Sequence, residues 1–331
     1  MVRNCLENGF IDETQLLRLS RDGLAQSGLV VAEVTARAVD PLPGTFAGII
    51  VRFDGPEPVD RTPPDDPAIN PLSPGIPNYN FYSLEVVQRI GYDSFTPDNG
   101  VLIAKNKDRL RGWNGGPNAF NSYIWVIDAH PEDINMVDYI KPNGEKVMRT
   151  IADYRQLNDA LFHAGLNSDS QFEWEDTPNR LHFYVIDVKK NKEGILSYTL
   201  AVRSLDGSDS QKRGVALDAK AKQRIRRTNT PITFILNNTG KAAETDSALH
   251  PSDARAYLNS DVYRLSVAVE GKGWTAQLLN GLVAVECGEF KPVTVYVSQE
   301  DGGAASATLT LRATSESDPS KTATATVKIS R

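Results

Sequence analysis

The sequence is poor in the residues that build metal centres and covalent scaffolds. Its 331 residues include two cysteines, Cys5 and Cys287, and four histidines. Two cysteines exclude a disulfide-rich scaffold and a cysteine-based zinc cluster. The two thiols fall in different predicted blocks of the chain, and the sequence leaves open whether they pair or stay free.

The scarcity of histidine limits the catalytic chemistry of the chain. The four histidines are at positions 130, 163, 182 and 250, and none is followed by glutamate. Zinc peptidases with the H-E-x-x-H motif use two imidazoles on one helical face to bind the metal and a glutamate to activate water. The G-x-S-x-G nucleophile elbow and the glycine-rich phosphate-binding motifs are missing too. We therefore expect no zinc site and no activity in this chain alone, although a dispersed Ser–His–Asp triad has no local signature.

Positive charge is in the minority. Lysine and arginine number 36 against 42 aspartates and glutamates, which gives a formal net charge of −6. A nucleic-acid binder usually carries a basic footprint, so nucleic acid is not an expected partner. No stretch approaches the ~20 apolar residues of a membrane span, and the first residues lack the apolar core of a signal peptide.

Short segments of alternating apolar and polar residues lie between turn-forming residues, a pattern typical of strands with one buried face. We predict a mainly β protein with two consecutive β-sandwiches, the first jelly-roll-like and the second Ig-like, after a small α+β segment. The predicted blocks are an N-terminal helix plus β-hairpin remnant (1–53), a proline-rich linker (54–80), a β-sandwich domain (81–210), a basic connector (211–230) and an Ig-like β-sandwich domain (231–331).

Two of these blocks carry more specific predictions. Asp12 and Gln15 form a capping-box pattern before an apolar run, which predicts a helix over 12–27. The segments 29–39 and 45–53 flank the turn-forming sequence DPLPG, so we expect an antiparallel hairpin. The basic connector is interpreted as a solvated link, with an anion-binding patch as the alternative.

The densest group of polar side chains lies in the sequence IDAHPEDINMVDY. Four carboxylates gather at the end of a predicted strand: Asp128, Glu132, Asp133 and Asp138. Calcium is a hard cation that prefers several oxygen ligands, so these residues form a candidate calcium site. The alternative interpretation is a charged loop that caps the strand.

Aromatic side chains cluster in the second predicted block and offer a candidate ligand-binding surface. Trp113 lies in a glycine-rich loop and Tyr123 at the start of a predicted strand. Exposed rings of this kind stack on sugar faces, whereas rings on strands more often pack in the core. A carbohydrate-binding role and a core-packing role both remain open for them.

Two segments together resemble a known family. NGVLIAKNK, at 99–107, is followed by WVIDAHPEDINMVDY, at 125–139. This order is similar to the region after the catalytic domain of secreted bacterial metallopeptidases of the immune-inhibitor-A type, where a G-[VL]-L-[IV] strand precedes a V-D-A-H-P-E-like segment. RLHFYVIDV and LSYTLAVRSLDG look like later strands of that region. The last block, with ILNNTGKAAE, GKGWTAQL and ATSESDPSKTATATVKI, is similar to Ig-like accessory modules of secreted hydrolases.

The resemblance covers 81–331 and implies a function without catalysis. The zinc-binding motif of the family has no counterpart in this sequence, so no catalytic residue is carried over. The resemblance implies an extracellular, non-catalytic C-terminal region that supports stability or attachment to a substrate or surface. Its implied partners are an upstream peptidase domain or an extracellular polymer. We also expect that the chain is a piece of a longer precursor.

Two other functions compete with this interpretation. One is an extracellular module that binds carbohydrate or protein through strand edges and loops. The other is a self-assembling structural protein of the cell surface, because unpaired edge strands can pair between chains. The sequence does not identify the ligand or the oligomeric state.

Overall fold

The architecture comes from a computed structural model, which describes most of the chain. The described residues are 5–6, 9–53, 80–106, 125–130, 137–140, 146–148, 159–207, 210–225 and 229–331. Side chains are described for these residues except 125, 137–140 and 146–148. The proline-rich linker predicted at 54–80 lies outside the described residues, apart from its last position.

Strands dominate the described part of the chain. They are β1 (Leu16–Ser20), β2 (Leu29–Thr35), β3 (Gly48–Arg52), β4 (Phe81–Val87), β5 (Gly100–Asn106), β6 (Trp125–Val126), β7 (Val137–Ile140), β8 (Lys146–Met148), β9 (Glu173–Asp176), β10 (Leu181–Lys190), β11 (Leu196–Ser204), β12 (Val215–Ala219), β13 (Lys222–Arg224), β14 (Thr230–Asn238), β15 (Ser260–Glu270), β16 (Trp274–Leu278), β17 (Leu282–Glu286), β18 (Phe290–Gln299), β19 (Ser306–Ser315) and β20 (Thr322–Ser330). An α-helix, α1 (Arg21–Ser27), follows β1, and 3-10 turns cover Glu13–Gln15, Gly91–Asp93 and Arg255–Tyr257.

Two sheets form the first sandwich. One has the order β1–β3–β4–β5–β6 and the other the order β2–β11–β10–β9. The β1–β3 pair is parallel, and the other pairs are antiparallel. Apolar side chains from both sheets meet in one core with Leu24 of α1 and Phe162. A separate hairpin joins β7 to β8.

The second sandwich follows in the chain. Its sheets have the orders β12–β14–β18–β16 and β13–β20–β19–β15–β17. Alternate residues of β14, β19 and β20 face its core, as the apolar–polar pattern predicts. The mainly β prediction with sandwich-type packing is confirmed.

The predicted N-terminal helix is wrong for most of its length. The capping box at Asp12 and Gln15 exists, but it starts a single 3-10 turn. The next residues form β1, which pairs with β3, and only Arg21–Ser27 is helical. Leu17 and Leu19 lie in the core of the first sandwich, whereas Leu16 belongs to a separate apolar cluster with Ile50 and Phe81, so all three leucines are buried in a strand.

The predicted hairpin over 29–53 is also wrong. β2 and β3 lie in different sheets of the first sandwich, and an isolated parallel bridge joins Val34 of β2 to Phe46, which precedes β3. Both strands are nearly all buried and apolar, so pairing with other strands covers them more completely than pairing with each other. The segment predicted as a remnant therefore supplies three strands of the first sandwich.

The predicted basic connector is not a solvated link throughout. β12 and β13 fall within it and pair with β14 and β20 of the second sandwich. The side chain of Arg213 is buried, with its Nη1 3.8 Å from Oδ1 of Asp261. The predicted division of the chain into blocks at those positions stays a prediction.

The two sandwiches share a buried apolar interface. Leu29, Tyr184, Ile186 and Ala201 of the first sandwich pack with Val262, Leu282 and Ala284 of the second. Burial of apolar area is the main source of stability in such contacts. The interface therefore holds the two sandwiches in a fixed relation.

A loop of the second sandwich also enters the first. His250 accepts a hydrogen bond at Nδ1 from the backbone N–H of Ser20, at 3.2 Å, and lies 3.1 Å from Oγ of Ser27. Ala254 and Leu258 belong to the core of the first sandwich. Among the helices that the structure describes, none has the length and apolarity to cross a membrane.

Candidate functional site

The residues of the predicted calcium site are only partly described. Asp128 lies just after β6, is 1% exposed, and its Oδ1 accepts a hydrogen bond of 2.9 Å from the backbone N–H of His130. Glu132 and Asp133 lie outside the described residues, and for Asp138, in β7, only the backbone is described. The candidate sugar-binding residues Trp113 and Tyr123 lie outside the described residues as well.

The structure adds a carboxylate that the sequence analysis did not select. Asp128, His130 and Asp159 each place a potential ligand atom within 4.8 Å of the others. Asp159 is far along the chain from Asp128 and belongs to no motif, so sequence spacing gave no signal for it. We name these three residues the acidic cluster.

The histidine of the acidic cluster is held by backbone oxygens. Nδ1 of His130 is 2.7 Å from the carbonyl oxygen of Asp159, and Nε2 contacts the carbonyl oxygen of Asp169. A carbonyl oxygen only accepts hydrogen bonds, so both ring nitrogens must carry a proton for both bonds to form. In this geometry both ring nitrogens of His130 face backbone oxygens.

The charges of the acidic cluster allow two arrangements. In one, the His130 ring lies beside the carboxylates of Asp128 and Asp159 with no ion present. In the other, a calcium ion binds the same carboxylates and offsets their negative charge, and further oxygen ligands complete its shell. The arrangement is suited to binding and stabilisation rather than to activating water.

An open cavity of about 800 Å³ lies next to the acidic cluster. Its wall is mainly polar, and it includes His130, Asn167, Asp169, Ser170 and Gln171. The backbone hydrogen bonds of His130 fix one side of this cavity to the loop that follows Gly165.

A second polar group joins the two sandwiches. Glu173 of β9 and His182 of β10 belong to the first sandwich, whereas Arg264 of β15 and Glu316 belong to the second. Arg264 donates from Nη1 and Nη2 to the carboxylate of Glu173, at 3.0 and 2.6 Å, and from Nε to Glu316 Oε1, at 2.7 Å. We name this group, with Tyr184, the interdomain network.

Tyr184 and His182 complete the interdomain network. The Tyr184 hydroxyl donates to Glu316 Oε2 at 2.9 Å and lies 3.0 Å from Nδ1 of His182. Nε2 of His182 is 3.1 Å from Glu173 Oε2. A phenol has one proton, and here it goes to Glu316, so Nδ1 of His182 must donate to the phenol oxygen. The ring of His182 therefore lies between the carboxylate of Glu173 and the phenol of Tyr184.

Burial and pairing shift the acid–base properties of the interdomain network. Burial opposes the ionisation of Glu173, but hydrogen bonds and charges from His182 and Arg264 outweigh it and lower the pKa of Glu173 to about 2. Burial strongly raises the pKa of the Tyr184 phenol, so the phenol stays protonated and continues to donate. Glu173, His182 and Glu316 also have potential ligand atoms within 4.8 Å of one another. The arginine already occupies both carboxylates, so this group is a structural contact and not an open metal site.

The interdomain network was missed at the level of the sequence. His182 and Tyr184 are two positions apart on one strand, and the strand period of two places them on the same face. Their rings stack with centroids 4.1 Å apart. That spacing gave a weak signal, but Arg264 and Glu316 come from the other sandwich and no local pattern connects them.

Two family models and one curated relative match this chain. Residues 7–205 match a family model described as a middle domain, and residues 212–331 match one described as a Peptidase M6-like domain. A protein of the fungus Arthroderma benhamiae, named "Putative secreted metallopeptidase", is 44% identical over 98% of this chain. The chain spans 46% of that relative's length.

Solved structures add little to this relationship. The PapD-like domain 7 of human CEP192 is 11% identical, with a TM-score of 0.24 over 36% of this chain and 84% of that domain. The VesB protease of Vibrio cholerae is 10% identical, with a TM-score of 0.20 over 93% of this chain and 97% of that protein. At these scores neither structure is a guide to the fold.

Proposed function

The chain belongs to the family whose middle-domain model spans residues 7–205, and its C-terminal part is M6-peptidase-like; from this we propose that it is the non-catalytic accessory region of a secreted metallopeptidase-like protein. In this role it stabilises the protein or attaches it to a substrate or surface. The relative from Arthroderma benhamiae, which is about twice as long, supports a protein that also contains a peptidase part. Its printed name supports an extracellular location.

The shared interface between the sandwiches is the observation that carries the proposal. An accessory region has to hold its parts in a fixed relation to a neighbouring peptidase domain. Apolar packing, the entering loop with His250 and the interdomain network all connect the two sandwiches. The sequence meanwhile contains no H-E-x-x-H segment. This combination supports a scaffold and gives no support to a catalytic role.

Peptide mapping of the natural protein tests this proposal. We expect that the intact protein, recovered from culture medium and resolved by size, yields peptides of this chain together with a segment that contains H-E-x-x-H. An intact protein confined to the cells, or one whose peptides include no zinc-binding segment, would contradict it.

We also propose that the acidic cluster forms part of a calcium site. Asp128 and Asp159 of the cluster are two of its ligands, and Glu132, Asp133 and Asp138 are the others. A cation that binds only the folded state raises the midpoint of thermal unfolding. We expect millimolar calcium to raise the midpoint of the chain, and Asp159→Asn to reduce that rise. Magnesium serves as the control, because it demands a smaller and more regular oxygen shell. An unchanged midpoint in calcium would overturn the calcium site.

A further inference from the structure

Asn237 is followed by Asn238 and Thr239, which makes an Asn-X-Thr acceptor sequence for N-linked glycosylation. No other asparagine of the 331 residues has serine or threonine two positions later. The acceptor sequence lies at the end of β14.

The fold places Asn237 on the solvent side of its sheet. Burial alternates along β14, and its neighbours Leu236 and Asn238 are 0% and 2% exposed, whereas Asn237 is partly exposed. Thr239, the residue that defines the acceptor, is exposed. Asn238 by contrast donates from Nδ2 to the carbonyl of Val285 at 2.8 Å and is enclosed. The acceptor asparagine is therefore the one of the pair that faces outward.

The contacts of Asn237 leave its amide nitrogen compatible with modification. Nδ2 donates to Oδ2 of Asp218 at 2.9 Å, on the exposed surface of the sheet. A glycosylated amide nitrogen keeps one proton, so the bond to Asp218 can persist after a sugar replaces the other. The folded strand thus accepts either state of the side chain.

An exposed aromatic ring stands next to Asn237. Phe290 of β18 is the direct cross-strand partner of Asn237, and it is 60% exposed. Directly opposite residues on one face have Cβ atoms about 5 Å apart, within contact of each other's substituents. An apolar ring left in water at this position is explained if the first sugar covers it, because aromatic faces pack on sugar rings.

We propose that Asn237 carries an N-linked glycan whose first sugar packs on Phe290. The donor class is a polyprenyl-diphosphate-linked oligosaccharide, and the transferring enzyme is a membrane-bound oligosaccharyltransferase of the secretory pathway. The bond between sugar C1 and the phosphate oxygen breaks, and a bond between C1 and Nδ2 of Asn237 forms. The amide nitrogen loses one proton to the solvent, and the lipid diphosphate leaves with the electron pair of the broken bond. The inference rests on the secreted location in the proposed function.

The test uses the full chain behind a secretory leader in a eukaryotic host that performs N-glycosylation. We expect the secreted chain to shift to lower mass after treatment with a peptide-N-glycosidase, and peptide mapping to find Asn237 converted to aspartate. Asn237→Gln and Thr239→Ala should each remove the shift, whereas Thr239→Ser should keep it. Asn167→Gln is the matched control, since Asn167 is exposed but is followed by Ser168 and Asp169.

A reporter variant distinguishes two reasons for an unmodified Asn237. Either the chain does not reach the glycosylation machinery, or it does and Asn237 is not used. Glu193→Thr creates an Asn-Lys-Thr acceptor sequence that starts at Asn191 in an exposed turn, and we place it in the Asn237→Gln background. A glycan on this reporter together with an unmodified Asn237 in the parent chain would overturn the proposal. The peptide mapping of the natural protein is independent of this result, because here the leader imposes secretion.

The contact with Phe290 has its own readout. We expect Phe290→Ala to lower the thermal midpoint of the glycosylated chain more than that of the enzymatically deglycosylated chain. If Phe290→Ala lowers the thermal midpoint equally in the two forms, the sugar does not pack on Phe290. Whether Asn237 is glycosylated is decided separately, by the mass measurement.

Discussion

At the scale of single residues, Arg264 is the side chain on which the contact between the sandwiches depends most. It pairs with Glu173 of one sandwich and Glu316 of the other through three short hydrogen bonds. Its side chain is 39% exposed, so solvent screens part of this interaction. Arg264 stabilises the interface by pairing with two carboxylates that would otherwise face each other across it.

Replacing Arg264 tests that role. We expect Arg264→Ala to lower the free energy of unfolding by about 1–2 kcal/mol, since charged hydrogen bonds contribute roughly this much after screening. Urea titration followed by tryptophan fluorescence measures it. Arg312→Ala, on the exposed face of the adjacent strand β19, is the control and should stay within about 0.5 kcal/mol. Equal losses in the two variants would contradict the role of Arg264.

Glu173 makes the same contact sensitive to acid. The pKa of Glu173 is lowered to about 2 from a usual value of 4.5. The stability that ionised Glu173 contributes is therefore complete above pH 4.5 and is lost as the pH falls through about 2. We expect stability to fall between pH 5 and pH 2, with up to about 3 kcal/mol of the loss due to Glu173. Urea midpoints at several pH values should fall less steeply in Glu173→Gln. Parallel pH profiles for variant and parent would contradict the prediction.

The sequence pattern indicates some residues of the candidate site but not others. The carboxylate of Asp128 was selected because polar residues crowd the end of a strand. Asp159 and Arg264 were missed because each meets its partners through the fold and not through spacing along the chain. The two carbonyl contacts of His130 likewise come from residues distant in sequence, so no local motif indicates them.

At the scale of elements, α1 shows how the chain joins its parts. The backbone of α1 approaches the loop with His250 so closely that a Cβ on Gly23 would overlap the carbonyl oxygen of Leu249 and would lie 2.7 Å from Nδ1 of His250. Glycine is required at such close backbone approaches because any side chain would collide.

The close approach at Gly23 gives a prediction for the loop. We expect Gly23→Ala to displace the loop and to destabilise the chain by about 1–3 kcal/mol, the range for overpacked buried sites. Hydrogen exchange should rise at the backbone N–H of Ser20, which donates to His250. Gln26→Ala, at an exposed position of the same helix, should leave both readouts unchanged. Unchanged exchange in Gly23→Ala would contradict the anchoring role.

Elements with strict alternation were the easiest to predict. β19 and β20 alternate apolar and polar residues, and each lies on a sandwich face as predicted. The run with Leu16, Leu17 and Leu19 satisfies both a helical and a fully buried strand pattern, so its tertiary position decides between them. β2 and β3 were expected to pair because they are neighbours in sequence, whereas their sheets lie on opposite sides of one core.

At the scale of the whole molecule, the two sandwiches are joined more closely than consecutive modules would require. They share the apolar cluster around Tyr184 and Val262. The second sandwich also places Ala254 and Leu258 in the core of the first. Composition and strand pattern predicted two sandwiches, but they gave no indication of this interlocking, because it depends on one loop and a few distant charges.

We propose that this chain is a scaffold without peptidase activity of its own. The most direct measurement is cleavage of unfolded casein by the purified 331-residue chain in the presence of zinc, with and without a metal chelator. A known zinc peptidase in the same assay provides the positive control. We expect no cleavage that the chelator abolishes. Chelator-sensitive cleavage that copurifies with the chain would contradict it.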